Sequence, residues 1–517
     1  MTKRNHNSLT DSSDLFPRNL PEREWVQFKS FGFSKPVLGV IYRNGGEGQC
    51  GVPLGGIGTG YVSIDLDGNI GEWTIFNNLV NPACGIPTKT IPELVPIPRQ
   101  IHKSFLGLCV KDRTWILSLH SVGKTENVGN IHYWGHYPVA DLEYGLDGPI
   151  QVGLRAWSPF IPGDSTHSNI PGAIFEMHLR NTSENVQDGC VTVDFPGPVE
   201  NEVRGNSEFK RESYQGEFQG IVVSTRQFGW PAFEIPAGTK QSWHAHKIED
   251  EPIATFEYVL GIIGSEKIRT GGSLSINENA WAETGKKLPA IKPNESGTSL
   301  SIDFLLRPKE HKVIHIVVSW YAPYWPVTPY INQYRASFNS ALEVAEYLAA
   351  EHENLIKRVL SWQAQIYCED ALPDYLRDVL VNSLCLMTKG SCYVCTLGAD
   401  PDRGLLSIME AAGDIPLQET ICVAWWGDFP ITFFFPELRL GTLRALAAYQ
   451  APDGKIPFIL GEAENRLDAP HYITQCLVNG IFFVQMVDRL CTRVGDKNLI
   501  KEFYPVVKRA IQYEMSH

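Results

Sequence analysis

The chain has 517 residues, of which 43% are hydrophobic and 20% are charged, a balance typical of folded proteins and not of disordered ones. The formal net charge of -13 argues against a nucleic-acid partner, because a phosphate backbone is bound by a basic surface. The length predicts two or more domains. The 11% aromatic content suits the stacking of sugar rings as well as an apolar core.

The N-terminal extension, residues 1–36, begins MTKRNHNSLTDSSDLF and contains no apolar segment of the kind found in secretion signals. No later segment offers about 18 uninterrupted apolar residues, the length of a transmembrane helix. We therefore expect a cytoplasmic protein without a transmembrane segment, for which peripheral membrane contact and the oligomeric state stay open. The scattered cysteines predict mostly reduced, buried thiols, because the one close pair, Cys392 and Cys395, lacks the further ligands of a metal site. No metal or cofactor is expected.

A glycine-rich segment, GEGQCGVPLGGIGTG at 46–60, contains a G-x-G-x-x-G match through Gly46, Gly48 and Gly51. A dinucleotide site of that type requires a helix directly after the glycines. Pro53 and the further glycines rule out such a helix, and YVSID, which follows, has the character of a strand. The segment therefore indicates tight turns and close backbone packing in a β domain.

Residues 37–321 alternate short β-branched runs with turn signals, as in GAIFEMHLRNTSE, GCVTVDFPG and KVIHIVVSWY. This pattern predicts an antiparallel β-sandwich domain. Residues 322–337, rich in proline and aromatic residues, are interpreted as a packed linker.

The periodicity changes to that of helices over residues 338–517. The first predicted helix is capped by Asn339 or Ser340, and the second begins with Pro373 in its first turn. Two predicted apolar faces follow from the spacing, one of Leu342, Ala345, Leu348, Leu355 and Val359, the other of Leu376, Val379, Leu380, Leu384 and Met387. Further helices are predicted in PELRLGTLRALAAYQ, HYITQCLVNGIFFVQMVDRLCTRVGD and NLIKEFYPVVKRAIQYEM, so this part is expected to be all-α, as a helical-hairpin bundle or an α/α barrel.

A predicted loop, residues 405–438, carries several acids among aromatic side chains: Glu410, Asp414, Glu419, Asp428, Trp425 and Trp426. Glycosidic cleavage uses one carboxylate at the sugar C1 and a second acid to protonate the leaving oxygen, while indoles stack on the ring. A structural role, with the acids capping helices and the tryptophans in the core, is equally open from these residues alone.

Several separate blocks resemble one family in its own order: GVPLGGIGTGYVSIDLDGNIGEWTIFNN, GHYPVADLEY, WSPFIPGD, FNSALEVAEYLAAEHENLIKRVLSWQ and GDKNLIKEFYPVVKRAIQY. The chain resembles the non-lysosomal glucosylceramidase family, glycoside hydrolase family 116, from about residue 37 onward. The resemblance implies a β-sandwich packed on an (α/α)6 barrel, with the glycine-rich turns at their interface. It also implies a retaining hydrolase of β-glucosides, including glucosylceramide-like glycolipids.

The resemblance also implies the site residues. Glu410 in SIMEAAGD looks like the nucleophile, and Glu419 is its rival because the spacing to ETICVAWWGDFP is one residue longer than in the family. The implied substrate-binding residues are Glu419, Thr420, Cys422, Trp425, Trp426, Asp428 and Phe458. Cys422 replaces an Asp and Phe458 replaces a His that contact the sugar in the family, which predicts a more apolar pocket.

The general acid/base of the family, an Asp in a T-Y-D-G-W-like stretch, has no counterpart before the final QYEMSH. Residues after 338 supply about half of the helices of an (α/α)6 barrel, so the helical domain is expected to be incomplete, as in a truncated family member. Two alternatives stay open: a catalytically impaired carbohydrate-binding or scaffold protein, and, by analogy of fold alone, a glycoside phosphorylase.

Overall fold

The computed structural model describes residues 14–45, 51–77, 104–198, 208–228, 252–324, 330–396, 404–411, 415–461, 467, 470–472 and 478–516. Several positions singled out in the sequence lie outside these ranges: Gly46, Gly48, Asp414, part of the linker and residues 473–477 of a predicted helix.

The strands of the first sixty per cent of the chain alternate with turns, as expected. They are β1 (Val26–Phe28), β2 (Val37–Gly39), β3 (Tyr42–Arg43), β4 (Val52–Leu54), β5 (Val62–Ile64), β6 (Ile70–Trp73), β7 (Leu106–Val110), β8 (Arg113–Ile116), β9 (Glu126–Asn127), β10 (Asn130–His136), β11 (Val139–Gly145), β12 (Ile150–Trp157), β13 (Gly172–Asn181), β14 (Gln187–Phe195), β15 (Lys210–Gln215), β16 (Gln219–Phe228), β17 (Pro252–Ile263), β18 (Ile268–Gly271), β19 (Thr298–Leu306) and β20 (His311–Tyr321).

The remaining elements lie mostly after residue 330. They are the short helix α1 (Glu278–Ala282), β21 (Tyr330–Asn332), α2 (Ala341–Tyr367), α3 (Asp374–Asn382), α4 (Leu386–Lys389), β22 (Ser391–Thr396), β23 (Leu405–Ala411), β24 (Ile415–Gln418), α5 (Ile421–Phe434), α6 (Pro436–Ala448), α7 (Asn479–Val494) and α8 (Lys497–Ser516), with 3-10 turns at Gln333–Ala336 and Ser383–Cys385.

Two large sheets form the N-terminal part. One has nine strands in the order β15-β16-β17-β20-β13-β12-β11-β10-β3, and the other has six in the order β18-β19-β14-β7-β8-β9. Alternate residues of both sheets, among them Leu154 and Met177 of the first and Leu108 and Val191 of the second, join one buried apolar cluster. The predicted sheet-rich domain is confirmed, and its core lies between these two sheets.

The opposite face of the nine-stranded sheet is also buried, because α2 packs on it. Leu348 and Val359 of the helix share a cluster with Trp157, Ile174 and Val317 of the sheet. The helix begins where the sequence indicates, since the Ser340 hydroxyl accepts a hydrogen bond from the Glu343 amide at 3.1 Å. Both faces of the central strands are therefore buried, and the face toward α2 also contains buried charged residues, among them Asp141, Arg155 and Glu176.

The C-terminal part contains a sheet as well as helices, which corrects the expectation of an all-α region. Strands β21, β22, β23 and β24 pair in that order, so a piece of the predicted linker and the first part of the predicted acidic loop are strands, whereas most of the rest of that loop is helix α5. The loop prediction is wrong for the rest of 405–438 as well, since Pro430 lies inside α5 and Pro436 begins α6. Helices α5 to α8 pack around a separate apolar cluster. Their closure into an (α/α)6 barrel stays a prediction.

Three predicted helix details are also wrong. The helical face through Leu376 and Val379 is displaced by about one residue, because Val379 is 52% exposed and Val381 is buried instead. Pro373 precedes α3 rather than lying in its first turn. The stretch HYITQCLVNG is not helical at its start, since His471 forms a bridge with Ile459 and α7 begins at Asn479.

The glycine-rich turns meet the C-terminal part, as the resemblance implies. The amide of Gly58, whose φ is +66°, donates to the hydroxyl of Ser391 at 2.8 Å. A Cβ atom at Gly58 would lie 2.3 Å from the backbone nitrogen of Tyr393. Only glycine permits this φ at so close an approach, and residues 51–77 contain no helix that could hold a dinucleotide phosphate. Among the described helices, none has the length and apolarity needed to cross a bilayer.

Candidate active site

The strand β23 carries Glu410 at an irregular position of its hairpin with β24. The pairing register shifts between Met409 and Ala411, so Glu410 lies at a bulge, a feature that commonly redirects a side chain. Residues on either side anchor the strand: the Met409 amide donates to the Gly390 carbonyl at 2.7 Å, and Ile408 is buried in the sandwich core. The carboxyl group is half-buried, and within the described residues its Oε2 atom is buried without a hydrogen-bond partner.

Both carboxylate oxygens of Glu419, the rival nucleophile, contact other protein groups. Its Oε2 accepts a hydrogen bond from the Ile408 amide at 2.9 Å, and its Oε1 forms a short ion pair with Nη1 of Arg439. The side chain is 1% exposed, and the backbone has a φ of +52°, which is rare for a residue other than glycine. A strained conformation of this kind persists where surrounding contacts over-determine it.

Asp428 forms an ion pair with the guanidinium of Arg439, the group that also pairs with Glu419. Nε of Arg439 is 3.0 Å from Oδ1 of Asp428, and Nη1 of Arg489 is 3.4 Å from Oδ2. The hydroxyl of Thr432, one helical turn later, donates to Oδ1 at 2.9 Å. Asp428 has no exposed surface, so its carboxylate serves this cluster of two acids and two arginines, which we call the Arg439 cluster.

Arg439 was not singled out in the sequence, although it organises the cluster. Burial by itself would lower the pKa of Arg439, but the carboxylates of Glu419 and Asp428 outweigh burial and raise that pKa above its usual value. An available signal was its position in helix α6, where it shares the buried stripe of Thr442, Leu443 and Leu446. An arginine on the apolar face of a helix requires buried acidic partners.

The aromatic residues of α5 divide into a covered and an exposed group. The ring of Trp425 is half-buried, 4.8 Å from the Trp426 ring and 5.0 Å from the Phe482 ring between centroids. The Arg489 guanidinium lies over Trp425 at 4.9 Å. Trp426 is 78% exposed, so its indole face is open to a flat apolar partner.

Cys422 and Phe458, which stand where the family has an Asp and a His, differ in their surroundings. Cys422 is half-buried at the start of α5, on the edge of the helical core. Phe458 is 6% exposed and belongs to that core, with its backbone carbonyl accepting the Ile421 amide at 2.9 Å. Thr420 occupies the N-cap position of α5, and its buried hydroxyl oxygen has no hydrogen-bond partner among the described residues.

The predicted residues thus form one region built from β23, β24, the start of α5 and the turn around 458. Within the described residues, no group of three His, Cys, Asp or Glu side chains is placed to hold a metal ion. A cavity of about 400 Å³ lies elsewhere, between the turn at Phe31–Ser34, Arg155, Glu176 and helix α2, and none of the predicted site residues lines it.

Comparison with known proteins gives two findings. The family model described as "beta-glucosidase 2, glycosyl-hydrolase family 116 N-term" matches residues 51–355. Among solved structures, the chain is similar to one described as "Putative kojibiose phosphorylase from human microbiome", with 9% identity and a TM-score of 0.37. That match covers 90% of this chain and 52% of the other, so the chain spans about half of that protein's length.

Proposed function

The chain belongs to glycosyl-hydrolase family 116, and from that premise we propose that it acts in the retaining hydrolysis of β-glucosides, with Glu410 as the nucleophile. Glucosylceramide-like glycolipids are the substrates that we propose within this class. The match of the family model supports a carbohydrate substrate. The geometry around β23 supports the choice of residue.

One observation carries the assignment of Glu410. A nucleophile needs a carboxylate oxygen that can approach C1 of the sugar, and Glu410 has a buried Oε2 atom without a hydrogen-bond partner among the described residues. The two other described candidates are engaged, because Glu419 contacts Ile408 and Arg439, and Asp428 contacts Arg439 and Arg489. Of these three described acids, Glu410 is therefore the one whose carboxylate is available for chemistry.

In the proposed reaction, the Glu410 carboxylate attacks C1 while the bond from C1 to the aglycone oxygen breaks and the aglycone leaves with a proton. Water then hydrolyses the glucosyl ester, which releases glucose with net retention of configuration and restores the carboxylate. Trp426, with its open indole face, stacks on the apolar face of the sugar or on the aglycone. Asp428 is unsuited to protonate the leaving oxygen, because its carboxylate is completely buried between guanidinium groups. The role of the Arg439 cluster is to position β23 through the Glu419 contact to the Ile408 amide.

The same geometry refines the specificity proposal. Cys422, which is half-buried, is the better position for adjusting polarity near a bound sugar, and we propose that it lines the pocket. Phe458 packs in the helical core, so we propose that its contribution is mainly to packing. Cys422→Asp should then strengthen glucoside binding, whereas Phe458→His should reduce stability by about 1–3 kcal/mol, because it places a polar ring in an apolar core.

The test uses an activated 2-fluoro-β-glucoside, whose leaving group departs without protonation, so that only the nucleophile is required. Incubation with the protein should attach one fluoroglucosyl group, and mass spectrometry of peptides should place it on Glu410. Glu410→Gln should abolish labelling while leaving thermal unfolding unchanged. Glu437→Gln, which alters an exposed acid in the first turn of α6, is the matched control and should label normally.

A label on Glu419 or Asp428 would show that the assignment of the nucleophile is wrong. Absence of any label, with a fold that unfolds cooperatively, would instead favour a carbohydrate-binding protein without the first chemical step. Sugar binding measured by calorimetry on the same sample separates these two results.

A further inference from the structure

Cys109 and Cys190 lie directly opposite each other on neighbouring antiparallel strands of the six-stranded sheet. They are register partners in the pairing of β7 with β14. Their strand neighbours Leu108 and Val191 point into the sandwich core, so by alternation both cysteines face the outer side of the sheet. This face lies in the N-terminal part, away from β23 and the helices of the candidate site.

A short loop after α1 covers the two thiols. Cys109 is 4% exposed and Cys190 is 1% exposed. In the thiol form, Cys190 is placed to donate to the Thr284 carbonyl at 3.5 Å, and a Cβ atom on Gly285 would lie 2.7 Å from Sγ of Cys109. The cover therefore consists of Thr284 and Gly285, and the lack of a side chain on Gly285 leaves room for the sulfur atoms.

The pairing geometry fits a disulfide bond without movement of the strands. Directly opposed residues of an antiparallel pair have Cα atoms about 4.5–5.5 Å apart. Disulfides span Cα separations of about 4.4–6.8 Å. Among the seven cysteines described as thiols, this pair alone is in cross-strand register.

The surroundings favour a thiolate on one of the two sulfurs. A hydrogen bond from Cys109 lowers the pKa of Cys190 to about 6, with further help from Ser301, Thr192 and the Arg269 charge, which together outweigh burial. The same hydrogen bond, together with burial, raises the pKa of Cys109. Arg269 is held in place because its Nη1 donates to the Thr284 carbonyl at 2.7 Å and its Nη2 to Asp303 at 2.8 Å.

We propose that Cys109 and Cys190 form a reversible dithiol–disulfide site that is oxidised by hydrogen peroxide or a comparably small hydroperoxide. The Cys190 thiolate attacks a peroxide oxygen, the O–O bond breaks, and the released hydroxide takes up a proton to form water. Cys190 is then a sulfenic acid. The Cys109 sulfur loses its proton and attacks the Cys190 sulfur, the S–O bond breaks, and the departing hydroxide leaves as a second water. Two thiols are oxidised by two electrons, and one peroxide is reduced to two waters.

The test treats the folded full chain with hydrogen peroxide, blocks remaining thiols in denaturant, and maps the peptides. Cys109 and Cys190 should appear linked, and dithiothreitol should restore both thiols. Cys392, a buried thiol with 0% exposure and no cross-strand cysteine partner in the described residues, is the internal control and should react at least about tenfold more slowly.

Variants separate the two roles of the pair. Cys109→Ser should leave a sulfenic acid on Cys190 that a dimedone probe traps, whereas Cys190→Ser should leave Cys109 unreactive. Arg269→Gln should slow linkage by roughly three- to tenfold, because the thiolate fraction sets the rate. Thermal unfolding of each variant checks the fold. No linkage in the folded wild-type chain, linkage only after denaturation, or equal reaction of Cys392 would overturn the proposal.

Discussion

The two parts of the molecule each bury an arginine completely, but they balance its charge differently. In the sandwich, Arg155 forms a bidentate pair with Asp141, with Nε and Nη2 donating at 2.8 and 2.7 Å. Burial would raise the pKa of Asp141, but Arg155 outweighs burial and holds that pKa well below its usual value. In the helical part, Arg439 serves both Glu419 and Asp428, and the half-exposed Arg489 supplies the second positive charge.

The two sites also contact different parts of the chain. Asp141 and Arg155 link β11 to β12, and Arg155 also donates to the Phe31 carbonyl, which fixes the N-terminal segment. The Arg439 cluster instead holds Glu419 in a strained conformation and reaches the backbone of the strand that carries Glu410. A buried charge network beside a candidate nucleophile restricts the position of that strand, which is the condition for productive attack.

The largest expected effect comes from removing the shared arginine. Arg439→Met should lower the free energy of unfolding by about 3–5 kcal/mol or more, because it leaves two buried carboxylates without their main cation. Arg155→Met should lower the free energy of unfolding by less, because only the Asp141 carboxylate loses its arginine partner. Denaturant unfolding of both variants measures the difference. Adding Glu419→Gln and Asp428→Asn to Arg439→Met should recover part of the loss. An equal cost for the two arginine variants would contradict the comparison.

A second effect concerns a buried acid with no arginine partner among the described residues. Asp194 in the sandwich accepts the amides of Leu274 and Ser275 at 2.6 and 2.8 Å. Burial raises its pKa from 3.8 to about 6 despite these hydrogen bonds. Because the folded pKa lies above the unfolded one, this group's contribution to stability is complete below pH 3.8 and is lost as pH rises through about 6.

Wild type and Asp194→Asn should therefore differ in the pH dependence of unfolding. Relative to the variant, the wild type should lose up to about 3 kcal/mol of unfolding free energy between about pH 4 and pH 7. Relative to Asp141→Asn, the wild type should show no such loss in this range, because the pKa of Asp141 is shifted downward. Parallel pH curves for wild type and Asp194→Asn would show that Asp194 ionises in the fold as easily as in the unfolded chain.

The smallest expected effect concerns the contact between the N-terminal sheets and the C-terminal part, at Gly58. Gly58 and Gly45 both have positive φ, +66° and +79°, but among the described residues a Cβ atom at Gly45 would meet only Leu119, at 3.9 Å. Gly45→Ala should lower the free energy of unfolding by about 1 kcal/mol, because alanine is disfavoured at a positive φ. Gly58→Ala should cost about 1–3 kcal/mol more, because it also separates the turn from Tyr393. Thermal unfolding compares them, and equal shifts would mean that this contact contributes little.

Parts of the fold were predictable because they depend on local patterns. Turn residues between β-branched runs identified the sandwich, and the Ser340 cap with a helical period identified α2, since these are signals of short range. The strands β22 to β24 were missed. They pair mainly with one another, but β22 also pairs with β21, which comes from a segment that looked like a linker.

The helix α5 was missed for a related reason. Its buried positions include Asp428 and Thr432, while Trp426 and Phe429 are exposed, so no apolar stripe marks the inner face. What makes this face internal is the arginine on α6 and the core of the neighbouring helices. Neither is visible in the residues of α5 themselves.

The sequence by itself determined the order of the two parts, the family and the set of acids from which a nucleophile could come, because composition, period and motif are properties of the chain. Only the tertiary structure decided how those acids differ. Glu419 and Asp428 are held by Arg439, which lies on another helix, whereas Glu410 keeps a buried oxygen without a partner in the described part of the chain. Whether a carboxylate is paired depends on which charges approach it in space, and that is set by packing rather than by spacing along the chain.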